Sequence, residues 1–356
     1  MGGLLGRVTL KRSLGQIRHV DPVWPDAARG LVARVYGQLE REFGMLAPPV
    51  ALHSPAPTVL AACWLMLRET LLAAGRVDRP TKEAIAAAVS LRNACPYCVD
   101  VHSATLNGLL PGRDAAAIAA GRVDAVAAPE LRAIAAWARG DGEAPPFPAG
   151  QAAELVGVAV AFHYLNRMVN VFLGDSPIPA GAPAVIRRGA WRAFGRVMRP
   201  YARRDREPGY ALDLLPPVPP PDDLSWTAGS PFVAEAMARS CAAIDEAGES
   251  AVPAAVRGLV AVRLARWDGG PTGLGRAWVD EAVAGLPAGE RAAGRLALLA
   301  AFASYQIDQS VIDGFRRDRP DDAALIRLTG WASLAAARRI GVAMWSTPAP
   351  VPPGAG

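Results

Sequence analysis

The chain has 356 residues, half of them hydrophobic and one fifth charged, with 38 basic against 33 acidic side chains and a formal charge of +5. This is the composition of a soluble globular protein long enough for two domains. No apolar run of the length a membrane span needs is read in it, because the stretch from Leu155 to Phe162 is cut off by His163, Asn166 and Arg167.

Helical signals dominate the chain from its N-terminal side onward. Residues 1–20 carry Arg7, Lys11, Arg12 and Arg18 without a compact apolar core and small-residue cleavage site, so no secretory signal is expected and the cytoplasm is the expected compartment. Alanine-rich amphipathic stretches then predict helices over Asp26–Glu42, Thr58–Ala74, Thr81–Asn93, Pro96–Leu110, Asp114–Ala120, Pro129–Arg139 and Gly150–Val171. No sustained alternation of β-branched residues predicts strands, so the fold class is all-α. Prolines 48, 49, 55 and 57 separate an N-terminal helix from the first helical bundle, and residues 143–148 form another break. Arginines crowd residues 187–206 with Trp191, Phe194 and Tyr201 between them, a pattern that raises nucleic acid as a partner. Asp175, Asp205 and Glu207 dilute the patch and no nucleic-acid motif accompanies it. We therefore read it as an exposed helix, with neither nucleic acid nor membrane as a partner. The proline series over 214–222 reads as a semi-rigid linker, and the Pro/Gly/Ala-rich end after Trp345 as a disordered tail.

Beyond that linker the sequence faintly repeats itself. Val89-Ser90-Leu91-Arg92-Asn93 resembles Val262-Arg263-Leu264-Ala265-Arg266, and Ala161-Phe162-His163-Tyr164 resembles Ala301-Phe302-Ala303-Ser304-Tyr305. In that register Cys95 falls opposite Asp268 and Cys98 opposite Pro271, so the second copy would keep the fold and lose the chemistry.

The chemistry concentrates at Glu83, Cys95-Pro96-Tyr97-Cys98 and His102. Proline is well placed at the first position of a helix, where its missing N–H has no intrahelical partner anyway. The residue before it is pushed toward extended geometry. Cys95 is thus the expected N-cap and Cys98 sits in the first turn, both at the positive end of the helix dipole, which lowers a thiol pKa. The spacing allows the two sulfurs to close a disulfide. His102 follows Cys98 by one turn on the same face and can take the thiol proton or stabilise the thiolate. If the two helices run antiparallel, a rise of roughly 1.5 Å per residue returns His102 to about the level of Ala86 or Ala87. Glu83, one turn further, then reaches it directly or through a water and orients the imidazole.

These residues resemble the AhpD-type alkylhydroperoxidases of the carboxymuconolactone decarboxylase-like superfamily. The resemblance rests on Lys82-Glu83, Val89-Ser90, Asn93, Cys95-Pro96-Tyr97-Cys98-Val99 and His102-Ser103, and it covers residues 58–108. It implies a helical bundle that forms homo-oligomers and reduces a small-molecule hydroperoxide through a Cys95–Cys98 disulfide, with no cofactor and no metal. Cys98 is implied as the peroxidatic thiol, Cys95 as the resolving one, and Glu83 with His102 as the proton relay. An external dithiol, lipoylated or thioredoxin-like, is implied as reductant. Members with the full relay carry a histidine between the cysteines, where this chain has Pro96-Tyr97. The implied organisation is an N-terminal helical extension (1–50), an AhpD-like redox domain (51–200), an Arg/Pro-rich linker (201–224), a degenerate AhpD-like repeat (225–346) and a tail (347–356).

Several residues have plainer readings. Cys95, Cys98, His102 and Glu83 could be four zinc ligands, although structural zinc sites more often use a second CxxC or CxxH pair. Glu83 alone would be a first-turn carboxylate favouring the helix dipole. Cys63 and Cys241 read as inert core thiols. His163, Tyr164, Asn166 and Arg167 read as a buried polar patch or interface, or else as surroundings of the redox site. Trp64 and Glu69 read as packing and surface residues, and His19 and His53 as loop residues. Two other functions share the motif: a lactone-processing decarboxylase, which needs no cysteine pair, and a non-enzymatic disulfide sensor.

Overall fold

A computed structural model describes residues 13–346 apart from 111, 142–143, 177 and 179–180. The expected disordered tail and the first twelve residues lie outside the described residues. Among these the structure is helical, with one isolated bridge between Ala73 and Arg206 and no strand. The first half contains α1 (Gly30–Phe43), α2 (Pro57–Leu67), α3 (Arg79–Arg92), α4 (Pro96–Leu109), α5 (Arg113–Ala119), α6 (Pro129–Arg139), α7 (Ala152–Phe172) and α8 (Ala184–Ala202). Then come α9 (Pro231–Ala251), α10 (Ala254–Ala265), α11 (Ala277–Val283), α12 (Arg291–Phe302), α13 (Gln309–Arg316) and α14 (Asp322–Ser346).

Local chemistry sets the ends of the helices that matter here. The carboxylate of Asp78 caps α3, accepting from the Thr81 N–H at 2.9 Å, with Pro80 in the first turn. Pro129 opens α6, and Gly140 closes it with φ 93°, a left-handed conformation that glycine adopts without a Cβ clash. The helix expected over Thr58–Ala74 is α-helical only to Leu67 and continues as a π-helical turn over Arg68–Leu72. That wider turn coincides with two adjacent charged residues, Arg68 and Glu69, both turned inward. Arg68 pairs with Glu42 at 2.8 Å and with Glu69, whose other oxygen accepts from the Gly209 N–H at 2.8 Å. Glu69 is therefore a core residue, not a surface one.

The core centres on α7, which is apolar on nearly every face and packs against α3, α2 and, most extensively, α14. It is the one described helix long and apolar enough to cross a membrane, but 94% of its apolar window is buried inside the fold. The polar residues that interrupt its sequence pattern are turned onto the C-terminal end of α3, with Arg167 also reaching the Ala301 carbonyl of α12. Helix α9 lies on α2, and the proline-rich segment between α8 and α9 carries Leu214, Leu215 and Leu224 into the same core.

Helix α8 crosses α4 in close contact. Gly108 and Gly195 meet there: a Cβ on Gly108 would run into the Gly195 carbonyl oxygen, and one on Gly195 into that of Ala104. Two glycines let the backbones touch, so α8 lies directly over α4.

Candidate active site

The turn from α3 to α4 presents the cysteines. Ala94 adopts φ 49°, unusual for a residue with a side chain, and the Cys95 N–H reaches back to the Ser90 carbonyl at 2.9 Å. Cys95 is the N-cap, and α4 starts at Pro96 as the sequence predicts. Both thiols are free and both are buried, Cys95 at 1% and Cys98 at 2% exposure. They differ in what they face, because Cys98 lines the apolar cavity described below and Cys95 is not part of its lining.

The antiparallel packing of α3 and α4 brings Glu83 to His102. Glu83 Oε2 lies 2.7 Å from His102 Nδ1, with no water needed between them. Its Oε1 accepts from Arg79, 2.8 Å from Nε and 2.7 Å from Nη2. Glu83 is in the second turn of α3 and only 1% exposed, so the plain reading of a first-turn carboxylate favouring the helix dipole does not hold. Burial alone would raise its pKa, but the charges of Arg79 and His102 and their hydrogen bonds outweigh it and hold the carboxyl below its usual range. An ionised carboxylate on Nδ1 fixes the proton there and leaves the lone pair on Nε2. The Phe162 ring packs against the imidazole in an edge-to-face contact, centroids 4.5 Å apart.

The thiol chemistry departs from the sequence expectation of a pKa lowered by the helix N-terminus. Instead, a hydrogen bond to Cys95 and then burial push Cys98 well up, against a smaller downward pull from a hydrogen bond with Asn166. Two thiols in one dry site cannot easily carry two negative charges, so the second proton is held. Cys98 thus rests as a thiol.

On the side away from the cavity, α7 supplies a chain of amides. Asn166 donates to the Ser90 hydroxyl at 3.0 Å and accepts from the Asn93 amide at 3.0 Å. Asn170 ties the Asn93 carbonyl at 3.0 Å. His163 is fully buried and held well below its usual pKa by that burial and by Arg92 and Arg167. The patch that reads in sequence as an interruption of α7 is thus the wall behind the cysteines.

The cavity in front measures about 290 Å³ and is mostly apolar. Tyr97, Val101, Phe162, Leu165, Trp191 and Phe194 line it, with Cys98 and His102 as its reactive polar groups. Trp191 and Phe194 come from α8, so the Arg-rich helix is exposed on its outer face and roofs the cavity with its inner one. Sequence reading missed that role. The signal was the spacing of Trp191, Phe194 and Met198, which marks one buried face among the arginines.

Other predicted residues lie apart from this site. Cys63 and Cys241 are buried thiols pushed up by burial, Cys241 to about 12, and are inert by that measure. His53, read as a loop residue, is fully buried, is lowered to about 4 chiefly by burial, and stacks on Tyr164 with centroids 5.7 Å apart. Trp64 packs in the core and donates to Gln38 at 2.7 Å. Among the described residues no cluster of three or more His, Cys, Asp or Glu side chains is arranged to hold a metal ion.

Residues 58–140 match the carboxymuconolactone decarboxylase family, a span that contains Glu83, both cysteines and His102. Alkyl hydroperoxide reductase Rv2159c of Mycobacterium tuberculosis is 39% identical over 331 residues, covering 91% of this chain and 94% of that relative. The chain belongs to the AhpD-like group of the carboxymuconolactone decarboxylase family. No solved structure matches it. The matched length extends beyond residues 58–140 on both sides, so the likeness is not confined to the family's characteristic span.

Proposed function

We propose that this AhpD-like protein reduces an organic hydroperoxide through a Cys95–Cys98 disulfide cycle. The observation that carries the reading is the convergence of Cys98 and the Glu83-oriented His102 on one apolar cavity. The extensive likeness to an alkyl hydroperoxide reductase supports it.

In the first step His102 Nε2 takes the Cys98 proton as substrate enters, and Glu83 stabilises the imidazolium. The Cys98 sulfur attacks the terminal peroxide oxygen. An S–O bond forms, the O–O bond breaks, and the departing alkoxide takes the proton from His102 and leaves as the alcohol. Cys98 is now a sulfenic acid, oxidised by two electrons. In the second step the Cys95 sulfur attacks Cys98, the S–O bond breaks, water leaves with the Cys95 proton, and the disulfide forms. Burial suits this order: Cys98 faces the substrate cavity and Cys95 stands behind it. An external dithiol, lipoylated or thioredoxin-like, returns the pair to its reduced state. The family resemblance supports that donor and a homo-oligomeric assembly. We read residues 225–346 as a degenerate repeat whose α10 and α12 correspond to α3 and α7.

Single-cysteine proteins test the assignment. Cys95→Ser treated with one equivalent of organic hydroperoxide is expected to accumulate a sulfenic acid at Cys98, trapped by a sulfenic-acid-specific nucleophile. Cys98→Ser is expected to consume no peroxide. The reverse pattern overturns the order of the two thiols, and no trapping in either overturns the cycle.

A further inference from the structure

A second cavity, of about 260 Å³, lies on the far side of the amide wall, between the end of α3 and the loop after α10. Arg92, Asn93, Arg139, Arg167, Trp267 and Ser304 line it. Three guanidinium groups around one cavity need explaining, because buried cations are normally paired.

Only one of them is. Arg139 holds Asp141 and the Gly121 carbonyl. Arg167 is more than nine-tenths buried, yet its partners carry no negative charge: the Ala301 carbonyl at 3.0 Å from Nε, the His163 carbonyl at 2.7 Å from Nη1, and the Asn93 side-chain oxygen and His163 Nδ1, each at 3.4 Å. Its Nη2 makes no hydrogen bond to a described residue. Trp267 lies over the guanidinium at 6.0 Å and fixes its plane. Arg92 donates from Nη2 to the Gly269 carbonyl at 3.1 Å and has no carboxylate within ion-pair distance among the described residues. Asp141 and Asp268 act on Arg92 only through their field, since Asp141 is engaged by Arg139 and Asp268 by the Gly270 N–H. Burial lowers Arg92 and takes Arg167 down to about 9, so both cations are under-compensated as they stand.

We propose that this cavity binds a small oxyanion, a carboxylate or phosphate group, held by Arg92 and Arg167 with the Asn93 amide beside them. A guanidinium presents a planar fork of donors that matches either anion. The site is distinct from the peroxide cavity but shares its wall, because Asn93 bonds both Arg167 and Asn166, and Asn166 bonds Cys98. The bound group would be a free metabolite or the charged end of a larger ligand. It would bridge the two halves of the chain, since Arg92 and Arg167 precede the proline-rich segment and Trp267 and Ser304 come after it.

The test uses the full chain in thermal unfolding and calorimetry, titrated with inorganic phosphate and with succinate against sodium chloride at matched ionic strength. A saturable rise in Tm with either anion, beyond that with chloride, is expected. A response to phosphate assigns a phosphorylated ligand, and a response to succinate a carboxylate one. Arg92→Gln is expected to weaken the response about tenfold, as loss of one charge-assisted contact does. Arg167→Met is expected to abolish it, and Arg92→Gln decides the matter if Arg167→Met does not fold. No saturable rise with either anion, or an unchanged one in Arg92→Gln, overturns the proposal.

Discussion

Replacing Glu83 by glutamine tests the proposed relay with little change of shape. The amide can still accept from His102 Nδ1, so the imidazole keeps its tautomer, but the negative charge is gone. At the observed 2.7 Å, the attraction of a carboxylate for an imidazolium is about 6 kcal/mol with an effective dielectric of about 20. Burying the charge takes back several kcal/mol, which leaves a net stabilisation of about 2–3 kcal/mol. By transition-state arithmetic that is a loss of about 30- to 150-fold in the rate at which Cys98 is oxidised. Arg79 deepens the effect, because its positive charge, now without a carboxylate, faces the forming imidazolium. The assay is stopped-flow oxidation of the reduced protein by an organic hydroperoxide, with thermal unfolding as a check on the fold. A folded Glu83→Gln protein that reacts within about threefold of wild type, against the expected ΔΔG‡, refutes the relay.

Three further outcomes rest on the geometry. Cys98 is held above the ordinary thiol range by Cys95 and by burial, so with the bulk thiol-alkylating reagent iodoacetamide its reaction rate is expected to keep rising through and beyond about pH 8.5. A plateau near neutral pH would contradict the shared-proton picture. Val101→Trp fills the apolar cavity and is expected to slow reaction with a bulky organic hydroperoxide about tenfold or more while leaving hydrogen peroxide nearly unaffected; equal slowing of both would show that the cavity is not the organic substrate's path. Gly195→Leu places a side chain against the Ala104 carbonyl, so α8 must move off α4, at a cost of about 1–3 kcal/mol read as a lower Tm. An unchanged Tm would mean that the close crossing is not needed for α8 to seat.

Much of this arrangement is legible in the sequence because it is local or periodic. The all-α class comes from alanine-rich amphipathic stretches, and the start of α4 from Pro96 after Cys95. The meeting of Glu83 with His102 comes from helical rise along two antiparallel helices. The parts that sequence does not supply depend on burial. The thiols sit at a dipole-favoured helix end, but their environment is set by side chains of α7 and by each other, which spacing along α4 does not reveal. Glu69 and His53 look peripheral because their neighbours in sequence are polar or prolines, yet distant segments cover both. Helix α8 reads as an exposed basic helix because charge dominates its composition, while Trp191 and Phe194 on its other face close the cavity.

The central claim is that hydroperoxide oxidises Cys95 and Cys98 to a disulfide, and one measurement addresses it most directly. The reduced protein is titrated with an organic hydroperoxide, the remaining thiols are counted, and the oxidised chain is mapped by peptide. The account predicts loss of two thiols per equivalent of peroxide, a Cys95–Cys98 linkage, and Cys63 and Cys241 still reduced. Thiols that stay reduced under excess hydroperoxide would contradict it.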